Sequence, residues 1–509
     1  MKRLFTSLYL VALTVLASAQ GLVIGAFDSG IDYTHPAFRD ADGRLLISRV
    51  WEQGTDGKHP EGYDYGLELA TPEAILTACA DNTNQSHGTH TSSRALQFAG
   101  KEGTEMVLVA KSSEKLEKKK LCDAIKYIFD YAESVGKPCV INLSIGDHQG
   151  PHDGTSAFDH FIDSIVGPGR IIVGSAGNAG ASTCHLSSSN GEPIRSFVIY
   201  RSDKYTQGSI DVWGTRGMQY SVQLRATQYV NGNVSSQSET IIVGGDAASQ
   251  TYTWAPTTGR LKGTFTIDSE ISPLNGCPHV AITIDQTSAA MNYDLAVCIT
   301  PLTQGTVHAW ADDIYSSFHN RDREDFMKGD NLFTITEVGG TADSIISVGA
   351  MTAAHQIAPF CSIGPRLDGA VKPNVYAYGD NIESALNSYD SYQSSYPYTQ
   401  TINYEGREYH YGNMSGTSMA APMVTGIVGS WLRHNPRLTP GQAMALMDPD
   451  KIIDAERGLP TGILNVQEGD MALDALRQGN TYYDLQGRSV RPTRPGLYIL
   501  NGRKVIIKQ

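Results

Sequence analysis

The stretch "GLVIGAFDSGID" (21–32) carries a near-continuous apolar run, Leu22 to Phe27, that ends on an aspartate and a Ser-Gly turn. A run apolar at successive positions, rather than at alternate ones, marks a strand buried on both faces inside a parallel sheet. The pattern recurs in "MVLVAK" (106–111), "CVINLSIG" (139–146) and "RIIVGSAGN" (170–178). Between the first two of these recurrences, Leu121, Ala124, Ile125, Ile128, Phe129 and Ala132 keep the i, i+3/i+4 spacing of a helix with one buried face. Strand, helix, strand predicts an open α/β sheet, and such sheets bind ligands beyond the carboxyl ends of their strands. Asp28 and Asn178 both fall at those ends.

The whole chain sets bounds on this reading. At 509 residues it is long enough for two or three units, and 40% hydrophobic with 18% charged residues is a globular composition. A formal net charge of −13 offers no basic face to phosphates, which argues against a nucleic-acid partner. The basic run "EKLEKKK" (114–120) reads as the solvated face of a helix. Seven scattered cysteines show no zinc-type spacing, and Cys139, inside an apolar run, is expected to be a small core residue. Residues 1–19 look like a signal peptide: Lys2 and Arg3, an apolar stretch from Leu4 to Leu16, then small residues "ASA". The segment is too short to span a bilayer, and no other stretch is long and apolar enough, so an exported chain that does not span the membrane is expected.

After about residue 186 the texture changes. Segments such as "YSVQLRATQYV", "QTYTWAP", "RLKGTFTID" and "HVAITID" follow one another, rich in Thr, Val and Tyr, with regular turn signals. They predict a β-sandwich of about eight strands, with "DDIYSSFHNRDREDF" (312–326) as a return loop. "IISVGAMTA" (345–353) resumes the buried-strand pattern, so the β-unit reads as an insertion. The expected organisation is 1–19 signal peptide, 20–185 and 340–475 the two parts of the α/β domain, 186–339 the inserted sandwich, and 476–509 a short β-type tail.

"SGTSMAAPMVTGIVGSW" (415–431) sets a serine where a loop runs into a helix. Its helical spacing from Ala421 to Leu432 puts Pro422 in the first turn and lets Gly426 and Gly429 pack on the sheet. Ser418 is then either a cap or a nucleophile. A serine hydroxyl attacks only when a base takes its proton and a third group orients that base. His87 in "SHGTH" (86–90), where Gly88 permits a close backbone approach, and Asp28 at a strand end are suited to those parts. Each alone has a structural reading, as cap, core histidine or turn residue.

Taken together, "DSGID" (28–32), "HGTHT" (87–91) and "GTSMAAP" (416–422), in that order, closely resemble the signature motifs of the subtilisin-like serine peptidases, the subtilases. "GSAGN" (174–178) and "NLSIG" (142–146) resemble two further segments of the family, and "FCSIGP", "KPNV" and "NPRLTPGQA" echo others. The resemblance covers roughly residues 21–185 and 340–475 and implies a parallel-sheet α/β fold and peptide-bond hydrolysis. It casts Ser418 as nucleophile, His87 as base, Asp28 as the group orienting it and Asn178 as an oxyanion donor. It also implies an extended protein or peptide substrate along Leu143, Ser144, Ile145 and Gly146, with the first specificity pocket between that segment and Ser175, Ala176 and Gly177. His90 is structural by the same likeness. No organic cofactor is implied, and no metal site is assigned; structural calcium is common in the family, but the sequence assigns it to no particular loop.

Departures from the pattern set further expectations. The signal segment abuts the first strand with no room for a propeptide, and "SSRALQFAGKEGTEMVLVAK" after "HGTHT" points to a lost or shortened helix behind His87. "KPNVYAYG" (372–379) puts Asn374 and Tyr378 where the family usually has Asp and Pro. The insert is similar to jelly-roll insertions of some bacterial subtilases, and "YDLQGR" and "GLYILNGRKVIIK" to sorting tails read by the type IX secretion machinery, which would deliver the chain to the surface. The rival readings are a catalytically impaired subtilase scaffold that binds peptide, and a carbohydrate-binding surface protein built on the insert.

Overall fold

The computed structural model describes residues 21–81, 84–112, 116–200, 207–255, 261–288, 293–312, 316–391 and 397–447, with short strands between 482 and 507. The expected signal segment lies outside the described residues, as does most of 448–509.

Six strands open the α/β part: β1 (Leu22–Asp28), β2 (Ile47–Glu52), β3 (Leu67–Leu69), β4 (Thr104–Ala110), β5 (Cys139–Leu143) and β6 (Arg170–Ser175). With Ile346–Met351 and Val375–Tyr378 they make one eight-stranded sheet, ordered Val375–Tyr378, Ile346–Met351, β6, β5, β1, β4, β2, β3. Every described pairing is parallel except β2 with β3. The helices are α1 (Pro72–Ala78), α2 (His87–Ala99), α3 (Lys118–Ser134), α4 (Ala157–Ile165), α5 (Thr417–His434) and α6 (Pro440–Met447).

The apolar run of β1 divides as a two-faced strand must. Leu22, Ile24 and Ala26 join α1, α2, α5 and α6 in one core, while Val23 and Phe27 join α3 and α4 in another. A Cβ on Gly25 would come 2.4 Å from Ile128 Cγ2, so glycine there lets α3 lie close to the sheet. Cys139 is buried in the second core, and burial pushes its thiol pKa up.

Three expectations about the helices need correction. The helix behind His87 is present: α2 runs for 13 residues, its small side chains Ala95 and Ala99 fitting against α5. Gly426 packs on α2, where an added Cβ would meet the Ala95 carbonyl oxygen at 2.4 Å; Gly429 alone faces the sheet, at Leu22 and Val140. Pro422 lies one turn deeper than expected, because α5 starts at Thr417.

Beyond β6 the chain builds two six-stranded sheets, antiparallel in every described pairing, that share one apolar cluster. This exceeds the eight strands expected. The polar stretch 312–326 is not wholly a return loop, since Ser316–His319 pairs with Ile194–Tyr200 and buries Phe318. A third sheet, absent from the sequence reading, joins Ile382–Ala385, Tyr398–Tyr404 and Arg407–Met414. It lies against α2, with the imidazole of His90 2.8 Å from the Ile382 carbonyl oxygen and Ser93 Oγ 2.7 Å from Ser384 Oγ.

Candidate active site

Asp28 is the last residue of β1, and its carboxylate is buried. Four contacts hold it. Its own turn supplies Ser29 N–H at 2.8 Å, Thr91 Oγ1 donates at 2.9 Å, and His87 Nδ1 lies 2.7 and 3.0 Å from the two oxygens. An acceptor-only carboxylate facing Nδ1 makes that nitrogen the N–H, leaving Nε2 with its lone pair outward. His87 opens α2 and is 31% exposed, so Nε2 can be reached from outside.

The start of α2 is stitched to the turn after β1. Gly88 N donates to Ser29 O at 2.7 Å, and Thr89 Oγ1 both donates to Gly30 O and accepts from Asp32 N. An added Cβ on Gly88 would lie 2.8 Å from Ser29 O and 3.2 Å from Asp28 Cβ, so glycine is required for this approach. From the other side, Asn387 Nδ2 donates to Gln85 O, and Ser86 Oγ donates to Asp390. His90 is fully buried and its pKa falls to about 3, chiefly by desolvation, in keeping with a packing residue.

Ser418 is the second residue of α5. Proline at 422 has no N–H, so the carbonyl of Ser418, four residues back, loses its helical partner. Ser144 Oγ takes that place at 2.8 Å, and Ser418 Oγ in turn donates to Ser144 O at 3.2 Å. Behind Ser144, Asn142 Nδ2 donates to its hydroxyl and Thr425 Oγ1 donates to Asn142 Oδ1. Ala26 pairs with Asn142 across β1 and β5, so two residues further on Asp28 and Ser144 come level. The Asp28–His87 pair and the Ser144–Ser418 pair therefore stand at the carboxyl ends of neighbouring strands. In this structure the serine hydroxyl is turned to Ser144 O.

Asn178 follows β6. Its Oδ1 accepts from Thr417 N at 2.9 Å and Thr417 Oγ1 at 3.1 Å, capping α5 from another segment. Thr417 Oγ1 also accepts from Gly177 N at 3.1 Å. With the oxygen so engaged, the exposed side chain presents its Nδ2 donors beside Gly416, at the positive end of α5. Leu143 ends β5; Ser144 is buried, while Ile145 and Gly146 reach the surface in part, across from Ser175, Ala176 and Gly177. The arrangement offers a hydroxyl, a base with an oriented tautomer, and an amide donor at a helix start.

Thr91, Asn142 and Thr425 escaped the sequence reading. Thr91 is four residues beyond His87 on one helix face, and Asn142 is two residues before Ser144 on one strand face, so periodicity alone could have flagged them.

Against known proteins, the description of the Subtilase family matches residues 19–254 and 319–451. The chain belongs to that family. Among its relatives, the subtilase is 37% identical to serine protease AprX of Bacillus subtilis over 115 residues, 21% of this chain and 25% of that protein. It is 22% identical to subtilisin-like protease SBT2.3 of Arabidopsis thaliana over 521 aligned positions, 87% of this chain and 59% of the other. The chain thus spans less than two thirds of either relative's length. The structure of the Clostridium perfringens CspB protease superposes with a TM-score of 0.62 at 19% identity, covering 84% of this subtilase and 86% of that chain, a likeness of fold. Among the described residues no group of three or more His, Cys, Asp or Glu side chains could hold a metal ion. No helix among the described residues is long and apolar enough to cross a membrane.

Proposed function

We propose that this subtilase is a secreted or surface serine endopeptidase acting through an acyl-enzyme. One observation carries the reading: the Asp28–His87 pair and Ser418, the latter held by Ser144, stand at the carboxyl ends of adjacent strands. Ser418 Oγ attacks the scissile carbonyl carbon while His87 Nε2 takes its proton. Asp28 holds the tautomer and stabilises the imidazolium. The tetrahedral oxyanion is bound by Asn178 Nδ2 and by Ser418 N–H at the start of α5. Collapse expels the amine, which leaves with the proton returned by His87; water then repeats the sequence on the acyl-serine.

The substrate, an extended protein or peptide chain, runs along Leu143–Gly146, with its first side chain between that segment and Ser175–Gly177. No cofactor is assigned to the reaction. Residues 186–339 are proposed as an inserted β-sandwich, residues 1–19 as an export signal, and residues 476–509 as a tail handed to secretion machinery.

Fluorophosphonate labelling of the purified chain beside Ser418→Ala tests the reading. Labelling of the first and none of the second is expected. A folded chain that takes no label overturns the peptidase reading and leaves a peptide-binding scaffold in its place.

A further inference from the structure

We infer that Thr336, on the segment by which the chain returns from the paired sheets, fills the first specificity pocket and restricts cleavage to the carboxyl side of the smallest residues. The inference rests on the peptidase reading above and adds the substrate class.

Its basis is the space between the two pocket walls. A Cβ built on Gly146 would lie 2.6 Å from both Cβ and Oγ1 of Thr336, and one built on Gly177 would lie 2.5 Å from Thr336 Cγ2. Thr336 therefore touches both walls at once and occupies the gap that a substrate side chain would enter. Its residual exposure of 5% leaves a shallow floor. A methyl group fits such a depression; a phenyl or isobutyl group requires Thr336 to move.

Thr336 is not free to move. Its N–H donates to Ala176 O at 3.0 Å and its Oγ1 to Ser175 O at 3.1 Å, both on one wall. The next residue, Glu337, donates its N–H to Asp147 O at 2.9 Å, just beyond the other. Upstream, Trp310 Nε1 donates to Phe333 O at 3.0 Å, and His152 Nδ1 donates to Ile335 O at 2.8 Å. Trp310 belongs to the strand Val307–Ala311 of the paired sheets. The floor is thus tethered to the walls and to the paired sheets. Opening the pocket would break several buried hydrogen bonds, and such groups are costly to leave unpaired.

The test is a series of peptide p-nitroanilides, Ala-Ala-Xaa with Xaa Gly, Ala, Val, Leu or Phe, on the full chain and on T336G, T336A and T336V. Fluorophosphonate labelling and thermal unfolding are run on each. The wild-type chain is expected to favour Ala over Phe by about 10²-fold in kcat/KM, the scale on which pockets discriminate by volume. T336G lowers that ratio at least about tenfold. T336V, which keeps the volume and loses the hydroxyl, retains it. If T336G does not fold, T336A, which removes Cγ2 and Oγ1, must still lower the ratio. A labelled wild-type chain that cleaves after Phe as well as after Ala overturns the inference and leaves the peptidase reading intact. So does a folded, labelled T336G with an unchanged ratio, or a T336V as relaxed as T336G. Absence of label on the folded wild-type chain overturns the peptidase reading, and the inference falls with it.

Discussion

The parallel sheet and the paired antiparallel sheets are both β-structure, yet they use their side chains differently. In β1 every residue from Leu22 to Asp28 is buried, so the strand has no spare face and its only opening to solvent is its end. In Ala248–Trp254 and Lys262–Ile271 burial alternates, with Phe265 and Ile267 in the shared core and Ser249, Thr251 and Asp268 exposed. The first kind of sheet concentrates chemistry at one edge. The second turns an alternating polar face to solvent and keeps its apolar face for its own core.

That contrast can be broken by substitution. Phe265→Ala should cost about 3–5 kcal/mol, as a buried aromatic in a packed core does, while Thr251→Ala on the outer face should stay within about 0.5 kcal/mol. Denaturant unfolding of both variants decides it; equal costs would mean the outer face is not idle. At the strand ends the loss should appear in turnover instead. Asn178→Ala is expected to lower kcat by about 10²–10³, with little change in KM, measured on a cleaved p-nitroanilide. A loss confined to KM would argue against an oxyanion role.

A finer test concerns the reciprocal Ser144–Ser418 pair. Ser144→Ala leaves the Ser418 carbonyl without a partner and should destabilise by about 1–3 kcal/mol. In a Pro422→Ala background, where residue 422 regains an N–H aimed at that carbonyl, the same change should cost less by at least about 0.5 kcal/mol. Additive costs would show that the proline is not the reason Ser144 is needed.

A pH dependence is shared by both regions. Burial lowers His35 to about 4, and His90 and His308 to about 3. The unfolded chain protonates these rings near pH 6.5, whereas the folded chain resists until about 3–4. Protons therefore favour unfolding in that window, and stability falls as pH drops below about 6.5. Melting temperatures at pH 7.5, 6.5, 5.5 and 4.5 should decline over the last three. A flat profile would contradict the burial of these rings.

Much of the α/β part was legible because its strands are apolar throughout and its candidate site residues sit in short motifs at their ends. Asp28, His87, Ser418 and Asn178 could each be named from a few neighbours. The helix behind His87 was not, because its length was judged against a longer pattern, whereas Ala95, Leu96 and Ala99 suffice to seat it. Pro422 was misplaced by about a turn, and with it went the reason for Ser144. The sheet around Ile382–Ala385 and Arg407–Met414 was missed because its pairing is set across the chain, against Ser93 and His90, where local pattern carries no signal. Thr336 lay outside every motif; only the distances from Gly146 and Gly177 single it out.

Asn178 supplies a helix cap to α5, and the cap has a consequence for reaction energetics. An amide flip would bring Nδ2 against the N–H of Thr417, donor facing donor, and would uncap the helix as well. The orientation of the donor is thus fixed by the resting fold before any charge appears on a substrate. Under the proposed peptidase reading, little reorganisation energy remains to be supplied at the oxyanion, because helix formation has already supplied it.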